Sequence, residues 1–388
     1  MFDLTLSIKT ITNACEICEK PNLVKNHGFL TCLLLIYRKT KMITASGTIK
    51  RKSEDFSAPN FKRSLLDHNK INREEIKRQR QNLPIFTARQ KFIEQVQQND
   101  CVVLIGETGS GKTTQVPQYI QESGLSRYGK IIGITQPRRV AAISLSNRVG
   151  QERGQASQVG YRVRFEDTTG QETKIVYQTD GMLLRESMLD PILSKYSWII
   201  LDEAHERTVN TDILFGIIKS AQDKRKAAND PLKIIVMSAT MDAVKFSEYF
   251  RNCPILYVVG RQHPVNIRHV TETKEDWLTA VMQTIMKIHY ESPAKEDILA
   301  FLTGQDEIES VVQTLKSALL QPDDKLATKP KPIIMPLFAA LQVSAQQKVF
   351  LPTKEGMRKI ILATNIAETS ITIPGIKHVV DSCRVKAK

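Results

Sequence analysis

A glycine-rich loop follows an apolar run in the segment 101–114, which reads CVVLIGETGSGKTT. The loop matches the phosphate-binding pattern GxxxxGK[ST] at its four fixed positions, Gly106, Gly111, Lys112 and Thr113. Glycines let backbone N–H groups turn around a polyphosphate, a lysine neutralises the β- and γ-phosphates, and a threonine hydroxyl can ligate Mg²⁺. The pattern therefore predicts a site for a nucleoside triphosphate. A tight strand-to-helix turn without a ligand is the alternative that remains open.

Every residue of the loop is predicted to contact the nucleotide. These residues are Gly106, Glu107, Thr108, Gly109, Ser110, Gly111, Lys112, Thr113 and Thr114.

A second chemical segment, DEAH at residues 202–205, follows an apolar run that predicts a strand. Open α/β sheets bind ligands at the carboxyl ends of their strands. Asp202 can hold Mg²⁺ there, and Glu203, also placed at the metal, can position and deprotonate the water that attacks the γ-phosphate. His205, beside this base, is interpreted as a link between nucleotide state and domain position, with a packed polar residue as the alternative. For two acidic residues alone a helix cap is the alternative, but the upstream phosphate loop favours catalysis.

Short apolar runs alternate with helical patterns from Leu83 onward, which predicts parallel sheets covered by helices and hence an α/β fold. A break at residues 260–264, GRQHP, separates two such series. The first series has predicted strands at Val102–Ile105, Ile131–Thr135, Ile175–Gln178, Trp198–Leu201, Ile234–Met237 and Ile255–Val259. The second has predicted strands at Ile298–Leu302, Ile333–Pro336, Lys359–Ala363 and His378–Asp381, and predicted helices at Asp306–Leu320 and Val343–Phe350.

The composition indicates a soluble globular protein with room for two domains, because 41% of its 388 residues are hydrophobic and 25% are charged. The net charge of +14, from 55 Lys and Arg against 41 Asp and Glu, favours a polyanionic partner such as nucleic acid. Half of this excess lies between residues 42 and 91, where a solvated tail explains it equally well. Six scattered cysteines and the lack of an opening secretory signal predict a reducing intracellular compartment.

The first 41 residues do not resemble the rest of the chain, and Met42 is a candidate alternative start. Cys15, Cys18, His27 and Cys32 offer four zinc ligands, but their spacing fits no common zinc motif. The apolar run 29–37 is far shorter than the ~20 residues that cross a bilayer, so no membrane partner is predicted.

Two basic clusters, at residues 50–52 and 62–63, resemble a two-part nuclear import signal. An ordinary charge run in a disordered arm is an equal alternative.

Seven ordered motifs make the chain similar to the DEAH-box RNA helicases of superfamily 2, from Leu83 to the C-terminus. The motifs are GETGSGKTTQ from Gly106, TQPRRVAA from Thr135, TDGML from Thr179, DEAH from Asp202, SAT from Ser238, FLTGQDEIE from Phe301 and ATNIAETSITIPGI from Ala363. The stretches VGYRVRFED and GRQHPV look most similar to the nucleolar branch. The resemblance implies a nuclear monomer, with the nucleolus as the finer location, that uses ATP or other nucleoside triphosphates with Mg²⁺ to move on single-stranded RNA. It identifies no protein activator.

The resemblance also implies the domain organisation. A basic, largely disordered extension would cover residues 1–81, a first RecA-like domain residues 82–260, and a second, incomplete RecA-like domain residues 261–388. Ser238 and Thr240 would couple hydrolysis to domain closure.

The resemblance further implies contacts to the rest of the nucleotide and to RNA. Arg148 and Phe350 resemble the pair that sandwiches the base, which gives loose nucleotide selectivity, and Asp381 would contact the ribose side. The implied RNA contacts hold phosphates and sugars rather than reading sequence, and they are Arg138, Arg139, Thr179, Gly304, Gln305 and Thr364. For the two arginines a surface salt bridge is the alternative.

The sequence departs from the family at its end. It stops before the arginine-rich motif VI, QRxGRxGR, and Cys383 stands where relatives usually carry glycine. The resemblance implies that motif VI supplies an arginine finger to the γ-phosphate, and such a finger can accelerate hydrolysis by ~10³- to 10⁵-fold. Two hypotheses follow: an ATP-dependent RNA helicase, or a fragment that binds ATP and RNA, hydrolyses weakly and does not unwind. A metabolic P-loop kinase is disfavoured, because the motifs around Arg138, Thr179, Gly304 and Thr364 would then have no purpose.

Overall fold

The structure is a computed structural model that describes residues 73–127, 129–239, 243–260, 264–270, 276–319, 329–368, 372–384 and 386. The predicted extension up to residue 72, with its four candidate zinc ligands and its basic clusters, lies outside the described residues. The described residues belong to one compact unit, in which two sheets form two lobes.

A mostly parallel sheet forms the first lobe, residues 73–258. Its strands are β1 (Cys101–Gly106), β2 (Ile131–Gln136), β3 (Val159–Val163), β4 (Glu166–Asp167), β5 (Ile175–Thr179), β6 (Tyr196–Leu201), β7 (Lys233–Ser238) and β8 (Ile255–Val258). Its helices are α1 (residues 73–81), α2 (Arg89–Gln98), α3 (Lys112–Glu122), α4 (Arg139–Arg153), α5 (Asp180–Leu189), α6 (Val209–Ala227) and α7 (Ala243–Tyr249). The strand order is β4-β3-β5-β2-β6-β7-β1-β8, and in the described residues β4 alone runs antiparallel to its neighbour.

The central strands β1, β6 and β7 are almost wholly apolar and buried, because helices cover both faces of the sheet. On one face Phe92 of α2 and Tyr119 of α3 pack into a common apolar cluster. On the other face Leu183 of α5, Phe215 of α6 and Phe246 of α7 do the same. Burial on both faces fixes the register of the strands and hence the loops at their carboxyl ends.

A smaller parallel sheet forms the second lobe, residues 277–381. Its elements are α8 (Trp277–Glu291), β9 (Asp297–Phe301), α9 (Gln305–Leu319), β10 (Lys331–Leu337), α10 (Val343–Lys348), β11 (Met357–Ala363) and β12 (Ile376–Asp381). The four strands described here run in the order β10-β11-β9-β12. Helices α8 and α9 cover one face, and on the other face Val140 of α4 packs into the apolar cluster, so the lobes touch there.

The α/β fold with two parallel sheets confirms the fold class predicted from the sequence, and each predicted strand forms within two residues of its predicted ends. The strands β3 and β4 were not predicted. β4 is the sheet edge and both of its residues are exposed, whereas Gly160 and Arg162 interrupt the apolar residues of β3, so no continuous apolar run marks either strand in the sequence. The chain is also ordered before residue 82, because residues 73–81 are helical and Arg80 pairs with Glu122 at 2.7 Å. No described helix has both the length and the apolar character needed to cross a membrane.

Candidate nucleotide and RNA site

The phosphate loop connects the end of β1 at Gly106 to the start of α3 at Lys112. Gly109 and Gly111 adopt φ values of +80° and +91°, a backbone region that glycine enters without steric cost. A Cβ on Gly111 would also lie 2.9 Å from Leu83 Cδ1, so this glycine is required by both conformation and packing. Residues 107–109 are exposed at the tip of the loop, while Ser110 is buried beneath it.

The Lys112 side chain folds back onto its own loop. Its ammonium donates to the carbonyl of Gly106, to the carbonyl of Glu107 at 2.9 Å and to Ser110 Oγ at 3.2 Å. Only 7% of Lys112 is exposed, and this burial lowers its pKa, while the carboxylates of Asp202 and Glu203 oppose that shift. The hydrogen bonds of the Lys112 ammonium are therefore made within its own loop.

The acidic strand end meets the phosphate loop directly. Thr113 Oγ1 donates to Asp202 Oδ2 at 2.6 Å, and Gln136 Nε2, from the end of β2, donates to the same oxygen at 2.6 Å. Asp202 is 2% exposed, and burial raises its pKa above the usual value, while the hydrogen bonds from Thr113 and Gln136 and the positive charge of Lys112 oppose that shift. Two residues 89 positions apart thus place hard oxygen atoms side by side.

Glu203 lies next to this pair in a left-handed backbone conformation, with φ of +53°. Such strain in a residue other than glycine costs about 1–3 kcal/mol and is typical of functional sites. Its N–H donates to Asp202 Oδ1 at 2.9 Å. His205 Nδ1 lies 3.5 Å from Glu203 Oε2 and accepts the N–H of Ala239 at 3.4 Å, so the imidazole bridges the DEAH segment and the SAT segment.

Within the SAT segment, Ser238 is buried at the end of β7. Thr240 lies outside the described residues, so its predicted role stays a prediction.

The predicted base-sandwich residues come from the two lobes. Arg148 lies on α4, and Phe350 follows α10, which contacts α4. The buried ammonium of Lys359 donates to the carbonyls of Val349 and Leu351 at 2.8 and 2.9 Å, on either side of Phe350. These bonds fix the backbone that carries the aromatic ring.

The predicted ribose contact, Asp381, is exposed at the carboxyl end of β12. Its Oδ1 accepts the N–H of Cys383 at 2.8 Å, and Cys383 has φ of +54°. The left-handed region favours glycine, the residue that the resemblance implies for this position.

The predicted RNA contacts all lie at or just after the carboxyl ends of parallel strands. Arg138 and Arg139 follow β2, Thr179 ends β5, Gly304 and Gln305 follow β9, and Thr364 follows β11. Because the strands within each sheet are parallel, these residues share the edge that carries the phosphate loop in the first lobe and Asp381 in the second. Arg138 Nη2 lies 3.8 Å from Glu206 Oε2, so the salt-bridge alternative for this arginine is partly met.

Two site residues escaped the sequence interpretation. Gln136 fixes Asp202, and the Tyr177 hydroxyl donates to the carbonyl of Thr113 at 2.8 Å from the fully buried interior of β5. The sequence alone does not show what brings them to the loop, because that depends on the adjacency of β2, β5 and β6. A polar residue at a strand's carboxyl end, as Gln136 is, was the available signal.

The fold and the loop define the class: a P-loop NTPase with two RecA-like lobes. Two family models match the chain in succession, "DEAD/DEAH box helicase" over residues 87–247 and "Helicase conserved C-terminal domain" over residues 280–386. The chain belongs to the DEAH-box helicases of superfamily 2.

Several curated relatives are similar over most of this chain. The ATP-dependent RNA helicase DHX33 of Mus musculus is 53% identical over 319 residues, which are 81% of this chain and 45% of that protein. The pre-mRNA-splicing factor ATP-dependent RNA helicase prp22 of Schizosaccharomyces pombe is 50% identical over 80% of this chain and 26% of its own length. The pre-mRNA-splicing factor ATP-dependent RNA helicase DEAH10 of Arabidopsis thaliana is 45% identical over 81% of this chain and 49% of its own length. The chain thus spans less than half the length of these relatives.

Proposed function

We propose that this chain binds ATP with Mg²⁺, hydrolyses it, and couples the nucleotide state to single-stranded RNA. The observation that carries the proposal is the 2.6 Å hydrogen bond between Thr113 and Asp202, which joins the phosphate loop to the DEAH strand end. A loop that served only as a tight turn would need no buried carboxylate against its threonine.

The residues present fit a magnesium ion. Mg²⁺ prefers hard oxygen ligands and is commonly held by one or two protein groups together with phosphates and water. Thr113 Oγ1 and Asp202 Oδ2 would supply those groups, with Glu203 beside them. Within the described part of the chain, no group of three or more His, Cys, Asp or Glu could hold a metal ion by itself, so phosphate oxygens and water would complete the shell. When bound, the ion would neutralise phosphate charge.

The protein side chains then divide the chemistry. Lys112 exchanges its loop carbonyls for phosphate oxygens, and exposed N–H groups of the loop surround the same charge. Glu203 orients the attacking water and accepts its proton. His205, between Glu203 and the N–H of Ala239, transmits a shift of the carboxylate to the end of β7.

Recognition of the base is assigned to Arg148 and Phe350, and recognition of the ribose side to Asp381. Both base contacts use the face of the ring, so other nucleoside triphosphates are accepted as well as ATP. The RNA path is assigned to the strand-end residues around Arg138 and Thr364, which touch backbone rather than base edges and so give little sequence preference.

The proposal is tested first by nucleotide binding and hydrolysis. We expect calorimetry to show uptake of ADP with Mg²⁺ by the unmodified chain and none by Lys112→Ala. Glu203→Gln should keep its nucleotide affinity while its hydrolysis rate falls by roughly 10²- to 10⁴-fold, the usual contribution of a general base.

Glu172→Gln is the matched control, since it makes the same chemical change at an exposed turn. Absence of ADP uptake by the unmodified chain, or equal rates for the Glu203 and Glu172 variants, would overturn the assignment.

Nuclear localisation, with the nucleolus as the finer site, is part of the same proposal. It is supported by two relatives that are named as pre-mRNA-splicing factors. We further propose that the chain acts as a monomer on RNA.

A further inference from the structure

The guanidinium of Arg148 is anchored by a buried carboxylate one helical turn away. Arg148 Nε donates to Glu152 Oε1 at 2.7 Å. The Glu152 side chain is only 2% exposed, whereas the Arg148 side chain is 46% exposed. A pair between neighbouring turns of a helix is usually a weak surface contact. Here one partner is interior and the other presents its charged group to solvent.

The second oxygen of Glu152 is bonded to the helix that begins with the phosphate-binding lysine. Gln115 Nε2 and Gln118 Nε2, both fully buried on α3, donate to Glu152 Oε2 at 2.8 Å each. Glu152 therefore links Arg148 to the element that carries Lys112 through two hydrogen bonds.

Helix α1 completes the arrangement from outside the matched family region, which begins at residue 87. Gln79 Oε1 accepts a bond from Arg148 Nη2 at 3.1 Å. Arg80 Nε donates to Gln115 Oε1 at 2.8 Å and lies 3.9 Å from Glu152 Oε2. Arg148 is thus held at both its Nε and its Nη2. These in-plane bonds leave the flat face of its guanidinium for another planar group.

We propose that Glu152, assisted by Gln79 of α1, is a positioning residue for the nucleobase. It fixes the guanidinium plane of Arg148 and its offset from the phosphate loop, so that base and phosphates are received at a set separation. The inference rests on the proposed nucleotide binding. It adds that this contact depends on a side chain of α1, before the helicase domain proper.

The physical reason lies in the mobility of an arginine. A free arginine side chain samples many rotamers, and stacking on a base requires one of them. A buried carboxylate that already accepts from two amides cannot follow the arginine into solvent, so the arginine is held to it. The ligand class is any ring with an exposed aromatic face, since no base edge is read.

Two ligands separate positioning of the base from support of the loop. Calorimetry would compare ADP with inorganic tripolyphosphate, both with Mg²⁺, because only ADP carries a base. Arg148→Ala and Glu152→Gln should each weaken ADP binding by about two- to thirtyfold, the range of a cation–aromatic contact. Arg148→Ala should leave tripolyphosphate affinity within about twofold of the unmodified chain, and Glu152→Gln should weaken tripolyphosphate binding less than ADP binding, because Glu152 reaches the loop only through Gln115 and Gln118. In the double variant the losses should not add, because Glu152 acts through Arg148.

Gln79→Ala is the milder variant, since Gln79 is exposed and its loss leaves the buried network intact. It should reproduce part of the ADP loss, whereas Lys77→Ala, an exposed change on the same helix, should not. The inference is overturned if Glu152→Gln weakens both ligands equally, if the double variant is additive, or if Gln79→Ala matches the unmodified chain. If the unmodified chain takes up neither ligand, the proposed function itself fails.

Discussion

Alanine at Gly111 tests whether packing, and not only backbone conformation, demands glycine at the end of the phosphate loop. The added methyl forces an L-residue to φ of +91°, which costs about 1–2 kcal/mol. It also places a Cβ 2.9 Å from Leu83 Cδ1 and 3.2 Å from Ile85 Cγ2. Leu83 can move, but Ile85 is fully buried, so overpacking adds about 1–3 kcal/mol. The expected loss in the free energy of unfolding is about 2–5 kcal/mol.

Gly109 offers a matched control in the same loop. It has φ of +80°, and a Cβ there would meet no atom within 4 Å. Gly109→Ala should therefore cost only the backbone contribution of about 1–2 kcal/mol. Both variants gain the same entropy benefit from a stiffer unfolded chain, so this contribution cancels in the comparison.

The measurement is urea unfolding monitored by the fluorescence of Trp198, in a background in which Trp277 is replaced by Phe. Trp198 is buried in β6, so its signal reports the first lobe. Gly111→Ala should unfold at a lower urea concentration than Gly109→Ala, by an amount equivalent to about 1–3 kcal/mol. Equal midpoints for the two variants would refute the packing argument around Leu83.

Two further predictions concern RNA affinity and pH. The logarithm of the RNA binding constant should fall with the logarithm of the salt concentration, with a slope of roughly −0.7 per phosphate contacted. Arg139→Ala should reduce the size of that slope by about one phosphate contact, as measured by fluorescence anisotropy. A slope that the substitution leaves unchanged contradicts the assigned RNA path. His289 is fully buried, its ring nitrogens have no hydrogen-bond partner among the described residues, and burial lowers its pKa to about 4. In the unfolded state this histidine has a pKa near 6.5, so the unfolded state binds more protons and the protein loses stability as the pH falls from 6.5 towards 4. At pH 5 the loss in the free energy of unfolding is about 2 kcal/mol. His289→Leu should remove that part of the pH dependence, which is measured by urea unfolding at pH 7.5 and pH 5 with Trp277 fluorescence as the signal. A pH dependence that is unchanged in the variant contradicts the prediction.

The strands and the phosphate loop could be predicted from the sequence because their determinants are local. An apolar run such as Ile199 to Leu201 marks a strand buried on both faces, and a glycine pattern marks a loop with positive φ. The strand at Val159–Val163, next to the sheet edge, was missed because Gly160 and Arg162 interrupt its apolar residues and leave no such run. Lack of a local pattern, rather than weak structure, made it invisible.

The partners of the site residues could not be predicted, because they depend on which strands and helices become neighbours. Gln136 reaches Asp202 since β2 and β6 are adjacent, and nothing near either residue announces the pairing. The anchoring of Arg148 by Glu152 has the common spacing of four residues, but its importance comes from burial against α3. The sequence predicts candidate reacting groups, whereas tertiary contacts determine how those side chains are held.

In the folded-back conformation of Lys112, carbonyls of its own loop accept the hydrogen bonds that a bound phosphate would otherwise accept. Carbonyls of Gly106 and Glu107 accept hydrogen bonds from the ammonium, so a nucleotide bound as proposed would replace these bonds rather than add to them. Net affinity is therefore smaller than a count of contacts in the filled site would suggest. If the loop binds nucleotide as proposed, the same exchange runs in reverse when a product leaves, since the lysine returns to its carbonyls and no buried cation is left bare. Such a loop would favour turnover over tight retention.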